Sequence, residues 1–296
     1  MTSVGVIANP RKRLGDGVGA LRDALAMRGV EDPPWREVPK SRFAPKQVAK
    51  LLETGVDLLF VWGGDGMVQR CVDAIGNAPV TLAILPAGTA NLFATNLGIP
   101  QDVEEAVRIG FSGRRRALDV GTVNGERFAV MSGTGVDALM MRDSGGGVKD
   151  RLGRLGYVVA GVKAAKQGTV RTRVEVDGHR WFKGRASCVL VGNMGDVIGG
   201  LTAFPDARPD DGRLDVGVVT ADGIVDWARV LGKATVGRTA SSPFVRTTTA
   251  RKIVVELKSK RPYELDGGDR PKTKRLTFRV EPAAISVCVP EREDQR

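Results

Sequence analysis

Hydrophobic and polar positions change rhythm part-way along this chain. Up to about residue 110, short unbroken apolar runs alternate with stretches whose apolar positions recur every three or four residues. That is the pattern of buried parallel strands wrapped by helices. It predicts strands at 4–8, 35–38, 56–62 and 81–85, with helices at 18–27, 45–52 and 67–75 between them. Residues 86–91 predict a turn leading into a further helix. Beyond the first third, the strand period of two takes over at 170–176, 186–191, 214–219, 253–257, 276–280 and 285–289, with Gly, Asp and Pro clusters between the runs. Helices are expected at 224–233 and, amphipathic, at 151–167.

The fold class that follows is an α/β N-terminal domain with a parallel sheet, joined to a mostly antiparallel β C-terminal domain. The change falls between residues 110 and 125, so the expected division is 1–117 and 118–296, with an active site in the cleft between the halves. No fixed-period repeat is visible.

Composition narrows the function classes. The 296 residues carry 45 basic and 34 acidic side chains, a net charge of +11. Such an excess attracts polyanions: nucleotides, nucleic acid or an anionic membrane face. Aromatic residues are only 5% of the chain, too few for a base-stacking platform, and no nucleic-acid module stands out, so no nucleic-acid partner is expected. The cysteines, Cys71, Cys188 and Cys288, lie far apart in apolar runs and read as reduced core thiols. His179 is the single histidine and has no local zinc-ligand partner. The N-terminus runs straight into a strand and no apolar run approaches the ~20 residues of a membrane span, so a cytoplasmic protein with peripheral membrane contact is expected.

Two turns carry the candidate chemistry. Gly63-Gly64-Asp65-Gly66 follows one predicted strand, and Pro86-Ala87-Gly88-Thr89-Ala90-Asn91 follows the next. Glycine lets backbone amides approach a phosphate, and a helix N-terminus behind adds partial positive charge. Asp65 can hold Mg²⁺ through water or take a proton, while Thr89 and Asn91 can bond phosphate or ribose. Each turn alone reads equally well as an ordinary turn or, at Thr89, a helix cap. Their succession after neighbouring strands puts both on the sheet edge where α/β folds bind ligands. No P-loop motif is present.

With Phe93-Ala94 and Asn96-Leu97-Gly98-Ile99-Pro100 following, these motifs resemble the bacterial diacylglycerol kinase family, which also includes sphingosine and ceramide kinases. The resemblance continues through Asp119-Val120-Gly121, Gly133-x-Gly135-x-Asp137 and Arg151-Leu152-Gly153-Arg154. It returns at Gly192-Asn193, Asp210-Asp211-Gly212-x-Leu214-Asp215 and Leu265-Asp266-Gly267, covering about residues 4 to 290. It implies an α/β N-terminal nucleotide-binding domain and a β-sandwich-like, lipid-binding C-terminal domain, with ATP and Mg²⁺ as cofactors and a membrane lipid as substrate. It also implies nucleotide contacts from Asn9, Gly63, Gly64, Gly66, Gly88, Thr89 and Asn91, and substrate contacts from Asp137, Arg151 and Arg154. Asp211 and Asp215 resemble its Mg²⁺ site, and closely spaced acids beside a glycine also suit a hard cation on physical grounds; an acidic turn ending in a strand is the other reading. Asp65, Asp269 and Asp266 are the implied catalytic acids. Three positions depart from the family pattern: Met67 replaces a threonine, Leu92 an acid, and Gly268 the glutamate after Asp-Gly.

The expected activity is therefore transfer of the ATP γ-phosphoryl group to the hydroxyl of diacylglycerol or a similar lipid. The alternatives are an NAD kinase-like enzyme, since that related family shares Gly-Gly-Asp-Gly, and a catalytically weak lipid- or nucleotide-binding protein, on account of Gly268. A homodimer is left open.

Overall fold

The computed structural model describes residues 2–135, 168–198 and 201–291. The chain divides into two units, Met1–Val120 with Pro282–Arg296, and Gly121–Glu281. The expected helix at 151–167 lies outside the described residues.

In the first unit, strands β1 (Val4–Ala8), β2 (Trp35–Glu37), β3 (Leu58–Gly63) and β4 (Thr81–Pro86) form a parallel sheet in the order β2-β1-β3-β4. Every residue of β1, β3 and β4 is buried. A parallel strand covered on both faces has no polar side to alternate with, which is why these segments read as unbroken apolar runs. Helices α1 (Val18–Ala26), α2 (Ala44–Leu52), α3 (Asp65–Ile75), α4 (Leu92–Asn96) and α5 (Val103–Ser112) connect them. In α2, Ala44, Val48 and Leu51 bury one stripe at helical spacing. Asp102 caps α5 by accepting the Glu105 N–H at 2.8 Å, and two glutamates in the first turn suit its positive end.

The last strand of the chain returns to this unit: Ser286 and Val287 pair in parallel with Thr81 and Leu82. A simple division at 117/118 has no place for that return. The strand that carries these residues, β16, spans Gly268–Val289, where the sequence pattern has two separate strands. Ahead of it come β5 (Arg114–Val123), β6 (Glu126–Phe128), β7 (Met131–Thr134), β8 (Val170–Val176), β9 (His179–Ala186) and β10 (Cys188–Gly192). Then follow β11 (Asp196–Ile198), β12 (Leu201–Thr202), β13 (Leu214–Val219), helix α6 (Ile224–Ala234), β14 (Val245–Ala250) and β15 (Lys252–Leu265).

The second unit is antiparallel, with neighbours β14-β13-β10-β7-β15, and β8 pairs with both β15 and β9. Its core gathers inward-facing residues from these strands, including Val174, Val189, Val216, Ile253, Val255 and Leu276. Phe128 and Phe278 meet edge to face with ring centroids 6.3 Å apart. β8 alternates buried and exposed positions over its first five residues, as a strand wet on one side does.

Candidate active site

β3 and β4 run side by side in parallel, with Gly63 opposite Pro86, so both glycine turns leave the same edge of the first unit's sheet. The turns touch. A Cβ on Gly64 would lie 2.9 Å from the Gly88 Cα, and one on Gly88 would lie 2.4 Å from the Gly64 Cα and 2.6 Å from Asn91 Oδ1. Backbone packs on backbone here, and only glycine fits. The Ala87 N–H donates to the Gly63 carbonyl at 3.0 Å and ties the second turn to the end of β3.

Asp65 is the first residue of α3, two residues earlier than the apolar pattern predicts, with Gly64 in the cap position. Its Oδ1 accepts the Phe93 N–H at 3.0 Å, reaching across from one turn to the first turn of α4. Burial pushes the carboxyl pKa up, opposed by the backbone N–H groups of Phe93, Leu92, Asp65 itself and Asn91. A half-buried carboxylate with raised proton affinity, at a sheet edge where two helices begin, is suited to accept a proton.

The other predicted residues separate into those at this edge and those committed elsewhere. Asn9 ends β1 beside β3, donating its N–H to the Trp62 carbonyl at 3.0 Å; its Oδ1 accepts the Arg11 N–H, closing a local turn. The Trp62 indole donates to the Lys12 carbonyl, so the loop bearing exposed Arg11, Lys12 and Arg13 is pinned to the same edge. Gly66 and Thr89 are exposed on the two turns.

Asn91 requires a correction. Its side-chain carbonyl accepts the Gly88 N–H at 2.8 Å, and its amide donates to the Pro86 and Gly88 carbonyls at 3.0 and 2.9 Å. With φ at 50°, it also caps α4. It staples the turn that presents Thr89; its side-chain bonds are spent there and not on a ribose.

Asp266 is corrected for the same kind of reason. It sits in the β15–β16 turn with 7% exposure, and its carboxylate accepts the N–H groups of Ala129, Val130 and Met131 at 2.7, 3.0 and 2.9 Å. Three backbone donors make it a structural anion that locks the chain entering β7 to the hairpin turn, so both carboxylate oxygens are engaged by the fold and not aimed at a reacting group. Asp269, two residues into β16, is exposed. Beside it Gly268 faces Arg270, whose guanidinium would lie 2.8 Å from an added Cβ and is paired with Glu126. Sequence reasoning missed that ion pair, because its partners stand 144 positions apart.

In the second unit, the Asp215 pKa is pushed up to about 6 by burial first, then by the negative charges of Asp211 and Asp206; Arg213 pulls it back. The Asp211 Oδ1 accepts the Arg213 N–H at 2.9 Å. Among the described residues no three His, Cys, Asp or Glu side chains converge as a metal cluster. The repulsion that a cation would relieve is nevertheless present at Asp215, and the donors are hard oxygens, so the set fits Mg²⁺ held by two carboxylates with carbonyls or water. The Asp206 charge that acts on Asp215 was passed over in the sequence reading, though it stands in the same acidic stretch. Asp137, Arg151 and Arg154 lie outside the described residues.

The comparisons with known proteins divide the chain in the same order. Residues 4–123 match the family model described as the diacylglycerol kinase catalytic domain. Residues 130–289 match the YegS C-terminal NAD kinase beta sandwich-like domain, which covers more than half of the chain. The chain belongs to the bacterial diacylglycerol kinase and YegS-like lipid kinase family. Within this lipid kinase family, the chain is 30% identical to a diacylglycerol kinase of Bacillus subtilis, over 71% of each chain. It is 30% identical to a probable lipid kinase YegS-like of Pseudomonas aeruginosa, over 83% of this chain and 81% of that one. A solved diacylglycerol kinase structure from Bacillus anthracis shares the fold at TM-score 0.77 and 24% identity, over 97% of this chain and 96% of that one. An NAD kinase of Archaeoglobus fulgidus solved with ATP is a far more distant likeness, at TM-score 0.51 and 11% identity over 97% of this chain and 94% of that one. The motif glycines that touch, Gly64 and Gly88, are in place; of the three departures, Met67 and Leu92 lie in the helices that follow those turns, and Gly268 lies in the second unit.

Proposed function

We propose that this lipid kinase family member transfers the γ-phosphoryl group of ATP to a hydroxyl of diacylglycerol or a closely similar lipid. The observation that carries the proposal is the backbone contact between Gly64 and Gly88, which joins two glycine turns and two helix starts at one sheet edge. Amides of Gly63, Gly64 and Gly66, the close backbone approach that Gly88 permits, the Thr89 hydroxyl and the loop at Asn9 would hold the triphosphate. The lipid hydroxyl attacks the γ-phosphorus in line, the bond to the bridging oxygen breaks to release ADP, and the hydroxyl proton passes to a carboxylate. Asp65 is the first candidate for that carboxylate and Asp269 the second. Asp137, Arg151 and Arg154 are assigned to the substrate and its phosphate charge on family resemblance. Mg²⁺, when bound at Asp211 and Asp215, supplies neutralisation of negative charge.

A lipid acceptor is supported by the family to which the chain belongs. The apolar cavity within the second unit, lined by Leu190, Val197, Phe204, Trp227, Val230 and Leu231 among others, holds only about 60 Å³, below what a lipid needs. No helix among the described residues is long and apolar enough to cross a membrane, and the proposed contact with lipid is peripheral.

Labelled ATP offered with diacylglycerol vesicles, and separately with NAD, tests the reading. The expected result is transfer to the lipid only, falling by about 10²-fold or more in Asp65→Asn, which keeps the size and one acceptor oxygen. Transfer to NAD would replace the proposal with an NAD kinase. Tight nucleotide binding with no transfer to any lipid would make the chain a binding protein, as Gly268 allows.

A further inference from the structure

We propose that α6 is a membrane-docking helix whose outer face lies flat on an anionic bilayer. Ile224–Ala234 buries a single side, through Trp227, Val230, Leu231 and Ala234. At 3.6 residues per turn this leaves Val225, Ala228, Arg229 and Gly232 on the opposite side, and all four are exposed. Ile224 is 52% exposed, Val225 65% and Val236, just beyond the helix, 65%. These are three of the five large hydrophobic side chains left exposed among the described residues; the other two, Met27 and Phe43, belong to the first unit. Single exposed valines need no explanation, but their concentration on one helix does.

Charge identifies the occupant. Arg229 on the helix and Arg238, four residues beyond its end, are exposed, and among the described residues neither forms an ion pair. Lys233 is engaged locally, its Nζ donating to the Ser241 carbonyl and hydroxyl at 2.8 and 2.9 Å. Asp222 and Asp226 flank Ile224 and Val225 at the start of the helix, with Asp226 accepting the Asp222 N–H, while Val236 lies between Arg229 and Arg238. Apolar side chains followed by these arginines match the acyl boundary and the phosphate headgroups of an anionic lipid surface. A nucleic acid would use the arginines and leave the valines wet. A second copy of the chain would use the valines and set like charges against each other across a two-fold axis. The inner side of the same helix lines the apolar cavity, so α6 presents an apolar surface on both sides.

This inference goes beyond phosphoryl transfer and is tested without it. Full-length protein, free of ATP, is sedimented with vesicles of phosphatidylcholine alone and of phosphatidylcholine with phosphatidylglycerol. Wild type binds the anionic vesicles more tightly, and the triple variant Ile224→Ser, Val225→Ser, Val236→Ser binds them about tenfold or more weakly with an unchanged melting temperature. Arg229→Gln and Arg238→Gln each lose about fivefold, on the anionic vesicles only. A tryptophan placed by Val225→Trp shifts its emission to the blue on those vesicles, whereas one placed by Lys183→Trp on exposed β9 does not. Equal binding by wild type and the triple variant overturns the proposal. So does loss of a dimer in the triple variant with vesicle binding intact. Turnover of a water-soluble short-chain diacylglycerol, measured in parallel, separates the two readings: docking without turnover sinks only the kinase, and turnover without docking sinks only the docking helix.

Discussion

Asp266 stands in a turn and Asp215 at the start of β13, and their surroundings give the two acids opposite contributions to stability. Asp266 answers three buried backbone N–H groups, so Asp266→Ala strands three donors. A loss of about 3–5 kcal/mol is expected in chemical denaturation, with Asp266→Asn costing less because one acceptor oxygen remains. Asp215 is held at a raised pKa, from 3.8 to about 6, so the folded state binds a proton more tightly than the unfolded chain. Its contribution is therefore present below the ordinary carboxyl value and fades as pH rises through about 6. Asp215→Asn is expected to flatten that part of the pH–stability curve and to stabilise the protein at neutral pH by about 1 kcal/mol, solvent screening included. Mg²⁺ should raise the melting temperature of wild type more than that of this variant.

At the scale of elements, the two strand–turn–helix segments act as one piece. Gly88→Ala places a methyl group inside the Gly64 backbone and against the Asn91 amide, with no flexible side chain to yield. The turns must part, and the Asn91 hydrogen bonds to Gly88 stretch with them. Isothermal titration is expected to show nucleotide affinity falling by at least about tenfold, with thermal stability falling as well, since overpacking of this kind costs about 1–3 kcal/mol. The glycines were legible because their spacing after apolar runs is a local feature. Asn91 looked equally available for a ligand, because a side chain that bonds its own turn carries the same letter as one that bonds a ribose. The long β15–β16 hairpin was read as short strands for a different reason. Residues 258–263 and 268–275 are largely wet, so the chain there has no apolar period to read.

Across the whole molecule, the first unit is completed by the end of the chain. Beyond Glu281, Ile285, Val287, Cys288 and Val289 are buried, the Cys288 thiol donates to the Gly110 carbonyl at 3.2 Å, and Asp119 accepts the Ala283 N–H at 2.8 Å. Each of those buried aliphatic side chains is worth about 1.5–3 kcal/mol. Losing them together rivals the 5–15 kcal/mol, on the order of a whole domain's stability. A chain ending at Glu281 is expected to keep hydrogen-exchange protection in the second unit and lose it across β1, β3 and β4. Equal protection of both units in that chain would contradict this account.

Local pattern alone determined the strand–helix alternation of the first unit, the antiparallel character of the second, the two glycine turns and the family to which they belong. Each of these is written in neighbouring residues, through burial on one or both faces of an element or through the conformational freedom of glycine. Tertiary structure decided which acids are available. Asp65 and Asp266 look alike in the sequence, yet one sits half-buried at an edge with a raised pKa and the other is saturated by amides 135 to 137 positions away. Chain closure over such distances depends on where the whole fold brings its backbone donors, and no local period encodes that.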